Sequence, residues 1–525
     1  MRSLALALDE AGGGNDDPVF VRIARALAEE IRRGRLRAGE TLPGSRTLAD
    51  TLGVHRNTVL AAYRELVAEG WVESSPARGT FVAAAMPEVA PRRFTAQIPG
   101  AIAARPGFDV PDPEGRFEKL DDLLERARNA PPPVRGTRGP MTLGGGMPDV
   151  RLVPGPELVR AMRRVLDRRT LDVLSYGDPA GPPRLRRALA EMVTATRGIV
   201  AREEHVLVTR GSQMAIDLVA RTLVTKGDVV AVEGLGYRPA WEALRGAGAR
   251  LVPVPVDAHG ISVDALEALG KVERIRGVYV TPHHQFPTTV TLAPARRLRL
   301  LDLAQRERMF VLEDDYDHEF HYEGRPVLPL ASADASGVVV YVGTLSKVLA
   351  PGLRVGFLVA PSPLVERLTA LRRVVDRQGD QLLEYVVAEL LEDGEIGRHV
   401  RRAKRVYAER RARLASLLEE RFEGMLSFTL PAGGTALWAK VEKDVSLDAW
   451  VASAAELSLS LQPARLFAFD RKSRPFLRLG FAQHDEAEVR EAVRRMALAL
   501  DKARLVSARS TGRSGRARGG SRSSP

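Results

Sequence analysis

MFVLEDDYDHEF, residues 309–320, and YVGTLSKVLAPGLRVGFLVAP, residues 341–361, decide the reading of most of this chain. Each opens as an apolar, β-branched run and then turns polar. The first ends in Glu313, Asp314, Asp315, Tyr316 and Asp317; the second leads through Thr344 and Ser346 to Lys347 and, seven residues on, Arg354. Runs of the same kind surround them: HVLVT (205–209), VVAVE (229–233) and GVYVT (277–281), with VVVYVGT (338–344) and VGFLVA (355–360) framing the second segment. Continuous apolar strands separated by helical patterns describe a mostly parallel sheet covered on both faces. Ligands of such sheets bind beyond the carboxyl ends of the strands, which is where Asp314 and Lys347 fall. Alternation along the strand puts Asp314 and Tyr316 on one face and Asp315 on the other.

A lone lysine is ordinarily a solvated surface residue, so Lys347 gains meaning only from its neighbours. Thr344 and Ser346 offer hydroxyls, and Arg354 offers a planar fork for phosphate. One chemistry needs this set. Pyridoxal phosphate requires a lysine to condense with its aldehyde, an acid facing the pyridine nitrogen, a donor to the phenolic oxygen and a cradle for the phosphate. Asp314 suits the nitrogen and Tyr316 the phenolic oxygen. TRGSQMAIDLVARTL (209–223) joins a strand to a helix through Gly211, Ser212 and Gln213, and a helix N-terminus attracts anions. Tyr237, in VEGLGYRPAW, could stack on the ring or pack as ordinary core. In TPHHQFPTT, His284 and Gln285 lie past a strand end, within reach of a ring hydroxyl. Arg478, inside the strand-like PFLRLGFA, needs a partner if buried: an incoming carboxylate or a structural salt bridge. For the acidic cluster two other readings stay open, a hard-metal site using Asp314, Asp315, Asp317, His318, Glu319 and His321, or a solvated loop. No metal is called for otherwise.

The N-terminal part is different. FVRIARALAEEIRRG carries apolar residues at 20, 23, 27 and 31, a one-sided helical stripe. Pro43 and Gly44 then break the chain, Ser45 is placed to cap a second helix, and Leu48, Ala49 and Leu52 give that helix its buried face before Gly53. A third helix starts near Arg56, with Val59, Ala62, Tyr63, Leu66 and Val67 facing inward and Gly70 ending it. WVESSPARGTFV then reads as two short strands around a Pro/Arg/Gly tip. This order is a helix-turn-helix with a β-wing. The third helix presents Arg56, Asn57 and Thr58 to base edges in the major groove; Arg suits guanine and Asn suits adenine. Ser45 and Arg46 are placed for phosphate, and Arg78, Gly79 and Thr80 at the wing tip for the minor groove or backbone.

Two resemblances rest on these residues. GRLRAGETLPGSRTLA, RNTV, AYRELVAEGWVES and RGTFVA, in that order, resemble the DNA-binding domain of GntR-type bacterial regulators across 18–83. SYGDPAGPPRLRRALA, VTRGSQMAIDL, GLGYRPAW, TPHHQFPT, EDDYDHEF, GTLSKVLAPGLRVG and LRLGFA resemble fold-type I aminotransferases across about 141–500. Fused in this order, they look like the MocR-type subfamily of GntR regulators. The fold implied is multidomain: an N-terminal α+β winged helix-turn-helix (18–83), a linker (84–140), an α/β fold-type I pyridoxal-phosphate-dependent transferase-like domain (141–502) with a smaller C-terminal α+β subdomain, and a disordered tail (503–525). The resemblance implies that Lys347 bonds the cofactor, that Asp314 holds the pyridine nitrogen and Tyr316 the ring hydroxyl, and that Ser212, Gln213, Thr344, Ser346 and Arg354 surround the phosphate. Tyr237 and His284 join the cofactor site, and Arg478 takes an amino-acid carboxylate. It also implies a head-to-tail homodimer, an operator in double-stranded DNA and an amine, amino-acid or cofactor effector; a true transaminase with a DNA-binding appendage is the rival. One departure is Thr289, where the family usually carries glycine.

Composition sets outer limits. The chain has 525 residues and no cysteine, so disulfides and thiolate metal sites are excluded. No apolar run approaches the length of a spanning helix, and a cytoplasmic protein is the simplest reading. Net charge is +12, but six arginines of residues 503–525, a segment without acids, supply half of it. That tail reads as a solubilising end or as a non-specific attraction to DNA phosphates. Residues 84–140, rich in Pro, Arg and Gly, contain one short helical pattern near 118–129.

Overall fold

The computed structural model describes residues 18–75, 79–84, 140–324 and 327–516. The linker's expected helix near 118–129, the wing-tip residue Arg78 and the last residues, 517–525, lie outside them. The chain divides into two compact units between residues 111 and 112, and each is described by itself.

In the first unit, helices Val19–Arg32, Ser45–Leu52 and Arg56–Ala68 are followed by antiparallel strands Val72–Ser75 and Gly79–Val82, in register Val72 with Val82. The apolar stripes close on one core of Ile23, Leu27, Ile31, Leu48, Val59 and Leu66, each almost fully buried. The turn between the last two helices is short because Gly53 takes the left-handed conformation at φ 64°. Segment 39–42 lies along the wing, with Gly39 N–H donating to Val82 O at 2.9 Å and Leu42 N–H to Thr80 O at 2.8 Å.

Two expectations need correction here. Ser45 does not cap the second helix: Gly44 is the N-cap and no side chain caps it. The Pro43–Gly44 turn starts the helix one residue earlier, so Ser45 sits in its first turn and its Oγ accepts from Arg56 Nε at 3.3 Å. Val67 is 43% exposed, not core. At about 100° per residue it lies roughly 90° from the centre of the arc formed by Val59, Ala62, Tyr63 and Leu66.

In the second unit, seven strands form one sheet in the spatial order Val206–Thr209, Gly356–Val359, Val339–Thr344, Phe310–Asp315, Ile275–Val280, Val229–Glu233, Arg250–Val254. Only Gly356–Val359 runs antiparallel to its neighbours. Every residue of Val229–Glu233, Phe310–Asp315 and Val339–Thr344 is buried, as continuous apolar runs demand. The edge strand Arg250–Val254 is half open and contains Pro253; its weak pattern left it unread in the sequence. Phe310–Asp315 is the central strand. Its register, Asp314 beside Val342 and Asp315 beside Gly343, sets the carboxylates level with the strand end that precedes Lys347.

The smaller subdomain holds a four-stranded antiparallel sheet, Leu426–Ser427, Ala436–Val441, Phe476–Gly480 and Gln462–Pro463, packed with helices Glu395–Arg421, Leu447–Glu456 and Glu486–Arg516. The last helix runs past the boundary expected at 502. Ala499, Leu500 and Ala503 are packed, and a helix already nucleated adds residues at little cost. Residues 503–516, expected to be disordered, are therefore helical. Among the described residues, no helix is long and apolar enough to cross a membrane.

Leu27 is fully buried in the first unit. Leu27→Ala should destabilise that unit by about 2–5 kcal/mol. Amide hydrogen exchange across Val19–Arg32 should accelerate while the central sheet keeps its protection; unchanged exchange in the helix would contradict the packing described.

Candidate functional site

The site grows from the central strand. Asp314 is buried, with Oδ2 accepting from Tyr279 Oη at 2.8 Å and Oδ1 without any partner. Burial raises its pKa to about 7; the neighbouring Asp315 and Asp317 push the same way, and Tyr279 and Lys347 oppose them. The next residue faces the other side, as alternation requires: Asp315 pairs with His318 at 3.1 Å and accepts from Tyr341 Oη at 2.8 Å. Burial alone would raise its pKa, but His318, His283 and Arg197 hold it well below the usual carboxylate range. These carboxylates are buried, so the solvated-loop reading is corrected: Asp314, Asp315, Asp317, His318 and His321 all lie inside the fold.

Lys347 follows the strand Val339–Thr344. Burial lowers its pKa to about 8; Arg478 and Arg354 push it further down, while Asp317 and Asp314 oppose. Its amine is therefore within reach of the charges of Asp314, Asp317, Arg354 and Arg478. Thr344 and Ser346 are buried, with Ser346 N–H donating to Thr344 Oγ1 at 3.1 Å.

An anion cradle adjoins it. Helix Ser212–Leu223 begins after Gly211 at φ 79° with no side-chain cap. Arg354, itself left-handed at φ 53°, donates Nη2 to Arg210 O at 2.8 Å. A Cβ at Gly211 would lie 2.9 Å from Arg354 Nη2, and one at Gly356 would lie 2.7 Å from Gly211 Cα. The missing side chains thus let the guanidinium and the antiparallel strand close on the helix N-terminus. Gln213 binds Pro239 O through Nε2 at 2.9 Å, and its Oε1 is buried without a partner.

Phe286, which sequence reasoning passed over, joins Tyr237, Tyr316 and Arg478 into one cluster. Its ring meets Tyr237 edge-on at 5.6 Å and Tyr316 at 6.0 Å, and the Arg478 guanidinium lies 4.6 Å from its centroid. Burial raises the Tyr237 phenol to about 12. Tyr316 Oη donates to His284 O at 2.9 Å. Arg478 is fully buried; Nη1 donates to Pro287 O at 2.6 Å, while Nε and Nη2 have no partner. Among the described residues no carboxylate pairs with it, which removes the structural salt bridge. The side chains of His284 and Gln285 are already engaged: His284 Nδ1 lies 2.8 Å from Asp317 Oδ1, and Gln285 Nε2 donates to Leu235 O at 2.7 Å. Thr289, in place of the family's glycine, keeps the left-handed backbone at φ 64°, a strained conformation for a β-branched residue. Tyr279 lies inside an apolar run and Phe286 is a lone aromatic in the polar segment TPHHQFPTT, so neither is marked by its pattern; the unpaired acid beside one and the guanidinium over the other mark them.

In the first unit, Arg56 and Asn57 are exposed at the start of the third helix, where His55 Nδ1 accepts from Asn57 N–H at 3.2 Å. The Arg56–Ser45 bond joins the starts of the second and third helices; Arg46 is also exposed, and Thr58 is half-buried. Gly79, at φ 77°, and Thr80 begin the second wing strand.

Comparison with known proteins agrees with this architecture. Residues 140–496 match the model of aminotransferase class I and II, and residues 21–82 match the gntR family of bacterial regulatory proteins. The chain is 32% identical over 481 residues to the probable rhizopine catabolism regulatory protein MocR of Rhizobium meliloti, covering 91% of this chain and 93% of that one. It is 32% identical over 492 residues to the HTH-type transcriptional regulator TauR of Rhodobacter capsulatus, covering 91% and 96%. The crystal structure of LysN, an alpha-aminoadipate aminotransferase from Thermus thermophilus, superposes with a TM-score of 0.65 at 31% identity, covering 71% of this chain and 96% of that one.

The cofactor of such a domain is pyridoxal 5′-phosphate, and the residues present fit it. A buried carboxylate oxygen without a partner, a lysine with a depressed pKa and an uncapped helix N-terminus beside a guanidinium are the three partners its nitrogen, aldehyde and phosphate need. The chain belongs to the class I and II aminotransferase family and, with its GntR module in front, to the MocR-type subfamily of GntR transcription regulators that bind DNA.

Proposed function

We propose that this regulator senses an amine carrying a carboxylate, such as an amino acid, in the pocket between Lys347 and Arg478, and that occupancy changes how the N-terminal module holds its operator. The observation that carries this reading is Arg478, a fully buried guanidinium with two donors unpartnered. Such a group is costly to keep without an anion, and its planar fork matches a carboxylate. Pyridoxal phosphate supplies an electrophilic aldehyde and an electron-withdrawing ring. The chain's own residues do the rest. Lys347 provides the attaching amine, about half of it neutral near pH 8 because burial lowers its pKa to about 8. Asp314 meets the pyridine nitrogen with its bare oxygen, Tyr316 meets the ring hydroxyl, and Tyr237 packs on the ring. Ser212, Gln213, Thr344, Ser346 and Arg354 surround the phosphate. His284 acts through its carbonyl, which orients Tyr316.

An effector whose amine took the place of the Lys347 amine and whose carboxylate paired with Arg478 would alter contacts in this pocket. Those contacts must differ between two states for DNA affinity to change. On the DNA, Arg56 and Asn57 read bases, with Thr58 behind them. Ser45 and Arg46 hold phosphate, and the wing residues Arg78, Gly79 and Thr80 approach the groove edge. A head-to-tail homodimer in the cytoplasm would present two such modules. A second reading, full transamination, draws on the same retained groups and on the 34% identity over 367 residues to a 2-aminoadipate transaminase of Thermus thermophilus. Sustained turnover at about 1 s⁻¹ or faster would favour it.

The direct test is operator binding with and without pyridoxal phosphate and a panel of amines. A carboxylated amine should shift the affinity; no response to any amine or to the cofactor would sink the proposal. Arg478→Ala should weaken carboxylated amines by about 30-fold or more, the effect of removing a buried charged partner, and leave amines lacking a carboxylate nearly unchanged. An equal loss for both classes would contradict its role. Arg56→Ala should cost about 1–3 kcal/mol at one base position; a uniform loss across all sequences would make it a phosphate contact. Capture of the cofactor by apo-protein needs the neutral amine, so its rate should rise with pH and level off above about 8. A rate still climbing steeply at pH 10 would mean that burial does not tune Lys347.

A further inference from the structure

Behind the cofactor pocket, four of the chain's nine histidines are packed together. The ring of His283 lies 4.3 Å from that of His284, 4.6 Å from that of His318 and 6.1 Å from that of His321. His283 is only 3% exposed, yet neither ring nitrogen has a hydrogen-bond partner. His321, 8% exposed, also leaves Nδ1 unpartnered. Buried imidazole nitrogens normally find partners, so two neighbouring side chains with three empty nitrogens require an explanation.

We infer that His283, His284 and His321 form a binding site for a divalent transition metal of the zinc class. One ligand atom from each lies within 4.8 Å of the other two. Metal–nitrogen bonds of about 2.0–2.1 Å place tetrahedral ligands roughly 3.3 Å apart, so closing the site asks each ring to swing by about 1 Å. Imidazole ligands select zinc, copper, nickel or iron over magnesium or calcium, which take oxygen.

The surroundings support the ligand set. With His284 Nδ1 donating to Asp317 Oδ1 at 2.8 Å, Nε2 carries the lone pair. A carboxylate behind a histidine in this way fixes the tautomer and strengthens the ligand. Gly433, whose backbone bridges to His321, leaves open the space beside His284 Nε2 that a Cβ would fill. A cavity of about 500 Å³, lined in part by His318, His321, Glu191 and Lys404, gives the ion a route in. Neither Lys347 nor Asp314 lines that cavity, so this route does not pass through them. Through the His284 carbonyl, which accepts from Tyr316, metal and cofactor pocket share one residue. The hard-metal site considered from the sequence, built on Asp314, Asp315, Asp317, His318, Glu319 and His321, gives way to a histidine site, because Asp315 is committed to His318 and Tyr341.

The test is zinc binding to the tag-free, cofactor-loaded full chain, by equilibrium dialysis with metal analysis and by thermal shift. One zinc per chain and a rise in Tm with zinc but not magnesium are expected. His283→Ala and His321→Ala should each weaken binding by at least about tenfold while the visible absorbance of the bound cofactor persists, and His259→Ala should change nothing. If one variant loses its cofactor band through misfolding, the other variant and the wild-type stoichiometry decide. No saturable zinc, binding that survives both substitutions, or equal loss in His259→Ala would overturn the site.

Discussion

A carboxylate at the end of the middle strand of a seven-stranded sheet is shut away from water with one oxygen bare. An acid in that position is unfavourable unless something cationic meets it, and the only way to hold it there is to surround it with a rigid frame. Asp314 has that frame in Tyr279 on one neighbouring strand and in the backbone register with Val342 on the other. The parallel register also carries Thr344, Ser346 and Lys347 to the same level. The positions of the amine, the acid and the phosphate cradle are thus consequences of strand pairing and not of independent loops.

Around this frame the structure tolerates unfavourable local choices. Thr289 and Arg354 hold left-handed backbone, Arg478 keeps two donors without acceptors, and Lys347 is depressed toward neutrality. Strain and unpaired charge of this kind persist where surrounding packing fixes them, and they cluster at sites that bind something. Phe286 is the packing element that does this here, because Tyr237, Tyr316, Phe467 and Arg478 all rest against it. A regulator needs such a poised pocket: ligand contacts that relieve these costs are contacts that differ between its empty and filled states.

The sheet was legible because its strands are unbroken apolar runs, and the winged module because its helices carry one-sided stripes between glycines. Asp314, Tyr316, Lys347 and Arg478 stood out as polar residues at the ends of such runs or inside them. What stayed hidden follows from the same logic. Tyr279 looks like a core residue in sequence, and Phe286 is a lone aromatic in a polar segment. The role of Gly211 and Gly356 is a matter of what would collide, which no single segment shows. The edge strand with Pro253 has too weak a pattern to read. The cluster of His283, His284, His318 and His321 joins two segments some 35 residues apart, so only the fold reveals it. Ser45 was misjudged by one position, since a cap is a matter of dihedral angles that the residue type alone does not fix.

Attachment of the cofactor at Lys347 is the central chemical claim. Borohydride reduction of the cofactor-loaded chain, followed by digestion and mass spectrometry, tests this directly. The account predicts a single phosphopyridoxyl group, on the peptide that contains Lys347. A modification found on another lysine, or spread across surface lysines with Lys347 bare, would contradict it.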